Sequence, residues 1–486
     1  MHGLLFNIGV EKHARSLGAH RIATHLRKLG WDIEVIDHVN SFTLPQLIAL
    51  YDKLSNKNTK WVGFSHVFVD WNYRFESLCN YIRSKNPDIK FISGGGGVTN
   101  FYSDNLDWHI HGYGEDAIVV LLKYLFSNGR IPKHRVIGGI KNIHANDDYL
   151  TAIPKDPVTI YQDRDFIKPY EWLGMQFSRG CKFSCKFCNH PLLGVQEDHT
   201  RSQESFEIQI KDTYDRFGVK NYLVSDETFN DSTAKITKYA DVVENLSFNP
   251  FFSGNIRLDL LIAREKDREE LRRMRFLGQF YGIESFDKRA AKSISKGMDP
   301  ERIKEGVLDI KKYYRNQGDG IYRAQLSFIA GLPYETKESL YKTKKWLIDN
   351  WKDESFIFFP LFKQISLDGN VSAMDQGLHE EKYSKISLME KINFPTDEYI
   401  TEGEKWKDFE THSIYWKNDQ MDCYDALRFA TEMVKLSKTK FPIGNWSLGR
   451  PLDNKSVESR IKNGFSKQPG FFKGEVKEYY ENKLNQ

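Results

Sequence analysis

Long apolar runs are missing from this chain. The longest, Ala117 to Phe126, is broken by Lys123 and falls well short of the roughly 20 residues a bilayer crossing needs. Met1 to Val10 lacks a basic start followed by an apolar stretch, so no secretory signal is expected. Cysteine is scarce: 5 in 486 residues make no disulfide scaffold. Charge of one sign is missing too, because 70 basic and 66 acidic residues leave a formal net charge of +4. That balance neither demands nor excludes nucleic acid, which is not expected as a partner. No internal repeat or low-complexity segment stands out. Together these absences predict a soluble, cytoplasmic protein with no membrane partner. What is present allows a sizeable core, with 40% apolar and 14% aromatic residues in a length fit for two or three domains.

Short β-rich runs alternate with amphipathic runs from the start. Strands are predicted at Leu4 to Ile8, Ile33 to Asp37, Trp61 to His66, Ile89 to Ser93 and Trp108 to Gly112. Helices are predicted through Ala23 to Leu29, Leu44 to Leu54, Tyr73 to Ser84 and Glu115 to Phe126. Such alternation predicts a parallel, doubly wound sheet with its ligand edge at the carboxyl ends of the strands. A second series has strand candidates at Met175 to Ser178, Tyr222 to Ser225, Phe251 to Asn255, Phe280 to Glu284, Tyr322 to Ile329 and Phe356 to Leu361. Its helix candidates are Phe206 to Phe217, Ala234 to Leu246, Arg268 to Leu277, Glu301 to Tyr314 and Lys337 to Asp349. Six βα units predict a partial or complete barrel with chemistry at the carboxyl-terminal rim. The expected organisation is a first domain over 1–130, a proline-containing connector over 131–172, a barrel over 173–375 and a C-terminal extension over 376–486.

Three of the five cysteines crowd together in Arg179-Gly180-Cys181-Lys182-Phe183-Ser184-Cys185-Lys186-Phe187-Cys188. The C-x3-C-x2-C spacing suits three irons of a cubane cluster, with one iron left open for a chelating substrate. The structural alternative is a zinc site, for which His190 is the nearby fourth ligand. Cys79 falls on an i, i+3, i+4, i+7 stripe with Phe75, Leu78 and Ile82, so it reads as a core thiol. Cys423 lies in the unassigned tail, as a bystander or as a residue approaching the site.

The cysteine motif resembles that of the radical S-adenosylmethionine (radical SAM) superfamily, over roughly residues 173 to 375. The resemblance implies a 4Fe–4S cluster on Cys181, Cys185 and Cys188. It also implies SAM chelated at the open iron and cleaved to methionine and a 5′-deoxyadenosyl radical. Further segments carry the likeness in order. Phe187 takes the aromatic position that in the family packs near adenine. Ser225-Asp226-Glu227-Thr228-Phe229 resembles the turn near the methionyl amino group, and Asn255-Ile256-Arg257-Leu258-Asp259 the corresponding turn after the third strand. Tyr281-Gly282-Ile283-Glu284-Ser285, followed by Lys296-Gly297, resembles the fourth-strand signature near the ribose. Phe328 to Thr336, containing Gly331, resembles the fifth-strand turn. The SAM-binding set so implied is Phe187, Asp226, Glu227, Arg257, Glu284, Ser285 and Gly331. Carboxylates at strand ends can accept hydrogen bonds from an ammonium or from ribose hydroxyls. Gly282 and Gly331 allow close backbone approach. Surface ion pairing is the plainer role for the same carboxylates.

Residues 1 to 128 resemble the cobalamin-binding, flavodoxin-like domain that precedes the barrel in a large radical SAM subgroup. The likeness rests on Gly63-Phe64-Ser65, Ser93-Gly94-Gly95-Gly96-Gly97 and Gly112-Tyr113-Gly114-Glu115. It implies cobalamin contacts from Ser65, Gly94, Gly95, Gly96, Gly112 and Glu115, since glycines there bring backbone amides to a flat or anionic ligand. The classical D-x-H-x-x-G motif is absent: the matching loop reads Glu11-Lys12-His13-Ala14-Arg15-Ser16-Leu17-Gly18. The lower cobalt ligand is therefore open, with His13 either facing cobalt or solvated.

The resemblance implies a cobalamin-dependent radical SAM methyltransferase acting on an unactivated carbon of a small molecule or peptide. An external electron donor such as flavodoxin or ferredoxin is expected. Two other readings stay open: a cyclase or rearrangement enzyme without methyl transfer, and a non-enzymatic cobalamin- or cluster-binding sensor. Methylthiolation of tRNA fits poorly, because that class needs an N-terminal cysteine triad and only Cys79 precedes Cys181. Trp406, Tyr415, Trp416 and Trp446 are candidates for a pocket lining or for the core of the C-terminal region.

Overall fold

The computed structural model describes residues 2–8, 14–66, 73–95, 103, 105–137, 139–145, 158–188, 190, 195, 197–317, 322–351, 354–361, 384–385, 416–440 and 469–486. The chain divides into two compact units. One comprises Met1–Gly180, Leu193–Ser225 and Ser466–Gln486; the other comprises Cys181–Leu192 and Asp226–Phe465.

In the first unit, β1 (His2–Ile8), β3 (Asp32–Ile36), β4 (Thr59–His66), β5 (Lys90–Gly95), β6 (Trp108–His111), β7 (Arg135–Ile137) and β8 (Ile140–His144) form one sheet. Its order is β3-β1-β4-β5-β6-β8-β7, and it is parallel except for β7. The two-residue strand β2 (Ala14–Arg15) lies elsewhere. Side-chain alternation along the strands builds a core on each face. Leu4, Phe6, Ile8, Val62 and Phe64 face the helices α2 (Leu44–Leu54) and α3 (Tyr73–Lys85), meeting Leu47, Leu50, Phe75, Leu78 and Cys79. Leu5, Ile33, Val35, Trp61 and Trp108 face α1 (Leu17–Lys28) and α4 (Glu115–Phe126), meeting Ala19, Ala23, Leu26, Ala117, Leu121 and Leu122. Cys79 is a core thiol there, fully buried. Helices on both faces make the sheet doubly wound, as the alternating sequence pattern predicts.

Three features of this unit depart from the sequence expectation. The stretch read as a connector contributes β7 and β8, whose hairpin turns at Gly139 with φ +83°. Arg135 and Val136 are exposed, so no apolar alternation marked them. The strand before the cysteine loop is β9 (Trp172–Met175), three residues earlier than expected, followed by β10 (Ser178–Arg179), which pairs with β11 (His199–Thr200). Strand β12 (Asn221–Val224) runs parallel to β9, and α5 (Gln203–Phe217) connects the two βα steps. The last helix of the chain, Pro469–Asn485, also belongs to this unit, with Tyr479 buried in the core over α2.

The second unit carries β13 (Phe251–Ile256), β14 (Phe276–Glu284), β15 (Arg323–Ala330) and β16 (Ser355–Pro360), paired in parallel in that order. Its helices are α6 (Thr233–Glu244), α7 (Leu258–Ala263), α8 (Glu265–Arg273), α9 (Lys288–Ser293), α10 (Pro300–Asn316), α11 (Lys337–Asn350) and α12 (Cys423–Lys440). Four helix starts carry side-chain caps: Ser232 accepts from Lys235 N, Asp287 from Ala290 N, Asp299 from Glu301 N and Thr336 from Ser339 N. Each satisfies an orphan amide at a helix start and fixes where the loop ends. The expected helix over 268–277 stops sooner. Arg275 takes a left-handed φ of +59°, and the apolar run Phe276-Leu277 opens β14 instead. No helix among the described residues is long and apolar enough to cross a membrane.

Candidate active site

The three clustered cysteines are free and half-buried in the second unit. Each sulfur meets its own polar neighbour, a hydroxyl beside Cys181 and an N–H donor at each of the other two. Thr228 Oγ1 lies 3.7 Å from Cys181 Sγ, an Arg257 guanidinium nitrogen 3.6 Å from Cys185 Sγ, and the His190 amide 3.4 Å from Cys188 Sγ. Donors aimed at sulfur favour thiolate and tune the potential of a bound cluster. Burial pushes the Cys188 thiol up to about 12, so iron binding would take its proton. Among the described residues, no three His, Cys, Asp or Glu side chains converge closely enough for a single metal ion. Thiols spread along a loop, each with its own polar neighbour, fit a polynuclear cluster better than a mononuclear site.

Arg257, which follows β13, is the hub. It forms a fork on Asp259 at 2.9 and 3.0 Å, and its guanidinium lies 3.7 Å from the Phe183 ring centroid. Asn230 holds its backbone from both sides. On the neighbouring strand Glu284 ends β14 at φ +69°, after a bulge between Gly282 and Glu284. Lys296 donates to the Gly282 carbonyl at 2.8 Å, lies 3.6 Å from Glu284 and 5.8 Å from the Phe187 ring centroid. Burial raises the Glu284 carboxyl, while Lys296 and Arg257 pull it back. A Cβ on Gly282 would sit 2.4 Å from the Glu284 carboxylate, which accounts for glycine there. The expected Phe187, Arg257 and Glu284 therefore share one neighbourhood with the cysteines.

The remaining expected residues fall into two groups. Asp226 is buried beside Glu227, whose side chain is 44% exposed. Loss of hydration, then the charge of Asp226, raises the Glu227 carboxyl to about 7. His190 lies 3.5 Å from Glu227, and burial alone lowers the imidazole to about 4. Ser285 and Gly331 instead grip Glu335: Ser285 Oγ donates at 2.7 Å and Gly331 N at 2.9 Å. Burial raises Glu335 to about 8. Gly331, at φ +98°, approaches protein closely, since a Cβ there would lie 2.5 Å from the Trp416 ring. Trp416 is core, with its indole N–H on Leu361 O at 3.0 Å. Cys423 is buried at the start of α12. Trp406, Tyr415 and Trp446 lie outside the described residues.

In the first unit, Ser65, Gly94, Gly95 and Gly112 stand at the carboxyl ends of β4, β5 and β6. Gly95 and Gly112 adopt φ +150° and +94°, and Gly95 packs on the His66 carbonyl. Among these expected positions the side chains are only serine and glycine, while histidines His66 and His111 end β4 and β6 beside them. Gly96 and His13 lie outside the described residues. Glu115 is committed elsewhere: Arg179 and Arg21 pair with it. Burial pushes Glu115 up, but the two cations outweigh it and hold it at about 2. The sequence reading overlooked a histidine cluster, His66, His109, His111 and His144. Its signal was imidazoles at every second position of predicted strand ends, as in Trp108-His109-Ile110-His111.

Residues 175–347 match the model of the radical SAM superfamily, so the chain carries a radical SAM domain there. The fold around it resembles that of TsrM, a radical SAM methyltransferase from Kitasatospora setae. The structure of TsrM with tryptophan and a SAM analogue shares 12% identity at a TM-score of 0.62, over 79% of this chain and 78% of that one. A second TsrM structure, holding cobalamin and a 4Fe–4S cluster, matches at 0.59 with 14% identity, over 74% and 75% of the two chains. At these identities the likeness is one of fold: a doubly wound N-terminal domain and a radical SAM barrel. By sequence, an uncharacterized methyltransferase of Pyrococcus horikoshii is 25% identical over 169 residues, 35% of each chain. The anaerobic magnesium-protoporphyrin IX monomethyl ester cyclase of Synechocystis sp. is 24% identical over 260 residues, 49% of this chain. The chain thus spans 35% and 50% of the lengths of these two curated relatives.

Proposed function

We propose that the protein is a cobalamin-dependent radical SAM methyltransferase acting on an unactivated carbon of a small molecule or peptide. The observation that carries this reading is the gathering of Cys181, Cys185 and Cys188, each with its own polar neighbour, beside Arg257 and next to the Phe187, Lys296 and Glu284 group. In this reading Cys181, Cys185 and Cys188 would hold a 4Fe–4S cluster, and the residues around it would hold SAM against it. Phe187 flanks adenine. Asp226, Glu227 and Glu284 accept hydrogen bonds from the ammonium and ribose hydroxyls, while Ser285 and Gly331 hold the rim turn in place through Glu335. Ser65, Gly94, Gly95, Gly96 and Gly112 form the cobalamin cradle, and Glu115 anchors the start of α4. When bound, the cluster supplies an electron to SAM and cobalamin supplies a methyl carrier. Flavodoxin or ferredoxin is the class of electron donor this chemistry needs.

Anaerobic reconstitution with iron, sulfide and hydroxocobalamin, followed by SAM and reductant, tests the reading. Retained cobalamin with both 5′-deoxyadenosine and S-adenosylhomocysteine is the expected result. A Cys181→Ala, Cys185→Ala, Cys188→Ala variant that still held the cluster would overturn it. The cyclase name of the Synechocystis relative supports a second reading, in which a ring forms without methyl transfer. Deoxyadenosine without S-adenosylhomocysteine would favour that one, and absence of any SAM cleavage would favour a sensor.

A further inference from the structure

The histidines of the first unit are arranged by strand register. Gly95 is the Cα partner of His111, and His111 of His144, while His66 follows the pair Ser65–Gly94 and so aligns with Gly95. In a parallel sheet, residues in one row point to one face. His66, Gly95, His111 and His144 therefore make a single row across four adjacent strands at the carboxyl edge. Below it runs a second row, with Ser93 Oγ bonded to His109 Nδ1 at 2.8 Å. All four imidazoles are at most 5% exposed. Burial, then the neighbouring His111, His66 and His144, lower His109 to about 3.

The row is not uniform. His111 and His144 pair with each other, their ring centroids 5.2 Å apart. At a spacing of about 4.8 Å per strand they stand two and three strands beyond β4, roughly 10 and 14 Å away. Gly95 leaves a gap without a side chain between them and His66. His66 also has a different position in the topology. The chain leaves β1 through α1 to β3 on one side, then returns through α2 to β4 on the other. The strand order reverses between β1 and β4, and ligands of doubly wound sheets sit in the crevice at that point. His66 is the last residue of β4 and borders it. At the same edge the start of α1 packs closely on β4, since a Cβ on Gly18 would come within 3.1 Å of the Ser65 hydroxyl.

We propose that His66 presents an imidazole nitrogen to the cobalt of a bound cobalamin as its lower axial ligand. The proposal rests on the cobalamin reading above. Imidazole is a suitable donor for a first-row transition metal, and the loop after β1 lacks the D-x-H-x-x-G motif that would otherwise supply one. His111 and His144 face other parts of the cofactor or only each other.

Electron paramagnetic resonance of the full chain loaded anaerobically with cob(II)alamin tests this. A nitrogen ligand splits the cobalt lines into triplets, and growth on nitrogen-15 histidine should turn them into doublets. The splitting should vanish in His66→Ala, return when free imidazole is added, and persist in His111→Ala and His144→Ala. Triplets that ignore the histidine label would mean that the cofactor's own benzimidazole binds cobalt, which overturns the proposal. So would retained cobalamin with no nitrogen splitting, or splitting that survives His66→Ala. The label on the unaltered chain keeps the proposal falsifiable even where His66→Ala does not fold, and splitting that vanishes in His13→Ala would overturn it as well. Failure of the unaltered chain to retain cobalamin, read by absorbance, overturns the cobalamin reading itself and this proposal with it.

Discussion

The Arg257 guanidinium reaches to 3.6 Å from the Cys185 sulfur while its other edge is clamped by Asp259. A cation fixed beside one thiolate ligand stabilises extra negative charge on a cluster more than it stabilises the oxidised form. Hydrogen bonds to charged groups are worth roughly 1.5–3 kcal/mol, damped here by partial exposure. Arg257→Gln should therefore lower the midpoint potential of a reconstituted cluster by something on the order of 50 mV. Asp259→Asn, which frees the guanidinium without removing it, should have a smaller effect. Redox titration of the two variants checks this, and an unmoved potential in Arg257→Gln refutes it.

Glu335 couples stability to pH in the opposite sense from a surface carboxylate. Its ordinary value of 4.5 is raised by burial to about 8, against the pull of Ser285 and the Gly331 amide. The folded chain thus holds a proton that the unfolded chain releases. The contribution is complete below about 4.5 and is lost as pH rises to about 8, by at most roughly 1.4 kcal/mol per pH unit. Glu335→Gln keeps a neutral side chain of the same shape at every pH. Its Tm relative to the unaltered chain should therefore improve steadily from pH ~5 to ~8 and level off above. A difference that does not change with pH would refute the assignment.

How much of this was legible in sequence follows from range. Helices α2 and α4 were read with both ends correct because apolar residues at helical spacing and punctuation at the ends agree locally. The hairpin β7–β8 was missed because Arg135 and Val136 of β7 are exposed and its three and five residues are too short for a clear apolar alternation. The end of α8 was overrun because Met274, Phe276 and Leu277 suit a helix face or a buried strand equally well. The cysteine motif was readable because its three cysteines are only seven residues apart from first to last. The contacts that give the site its electrostatics were not. Arg257 meets Cys185 across 72 positions, and Ser285 meets Glu335 across 50, separations that no local pattern encodes. The fold class held because it depends on the order of elements, which local pattern does carry.

Gly331 shows where a motif glycine works through packing. Its φ of +98° and the Trp416 ring 2.5 Å from a hypothetical Cβ are independent penalties, and the indole is pinned by its bond to Leu361 O. Left-handed backbone strain costs on the order of 1–3 kcal/mol, and overpacking a similar amount. Gly331→Ala should destabilise by at least about 2 kcal/mol. Urea unfolding measures it, with a midpoint within error of the unaltered chain as the refuting result.

The last helix is tied to the first unit through a buried hydroxyl. The Asp37 amide donates to Tyr479 Oη at 2.9 Å, at the carboxyl end of β3, and Arg15 lies 5.1 Å from the same ring. Lys483, one turn on, pairs with buried Glu34. Tyr479→Phe keeps the ring and the packing but leaves the Asp37 N–H without its acceptor in a dry site. Such an orphaned donor costs roughly 1–3 kcal/mol. Tyr480→Phe is the control, since the neighbouring hydroxyl takes no part in this contact. Denaturant unfolding should place Tyr479→Phe below both the control and the unaltered chain. Hydrogen exchange adds a local readout: the Asp37 amide should lose protection in Tyr479→Phe and keep it in Tyr480→Phe. Equal protection in the two variants would mean that the hydroxyl does not hold the strand end, and that apolar burial of the ring alone docks the helix.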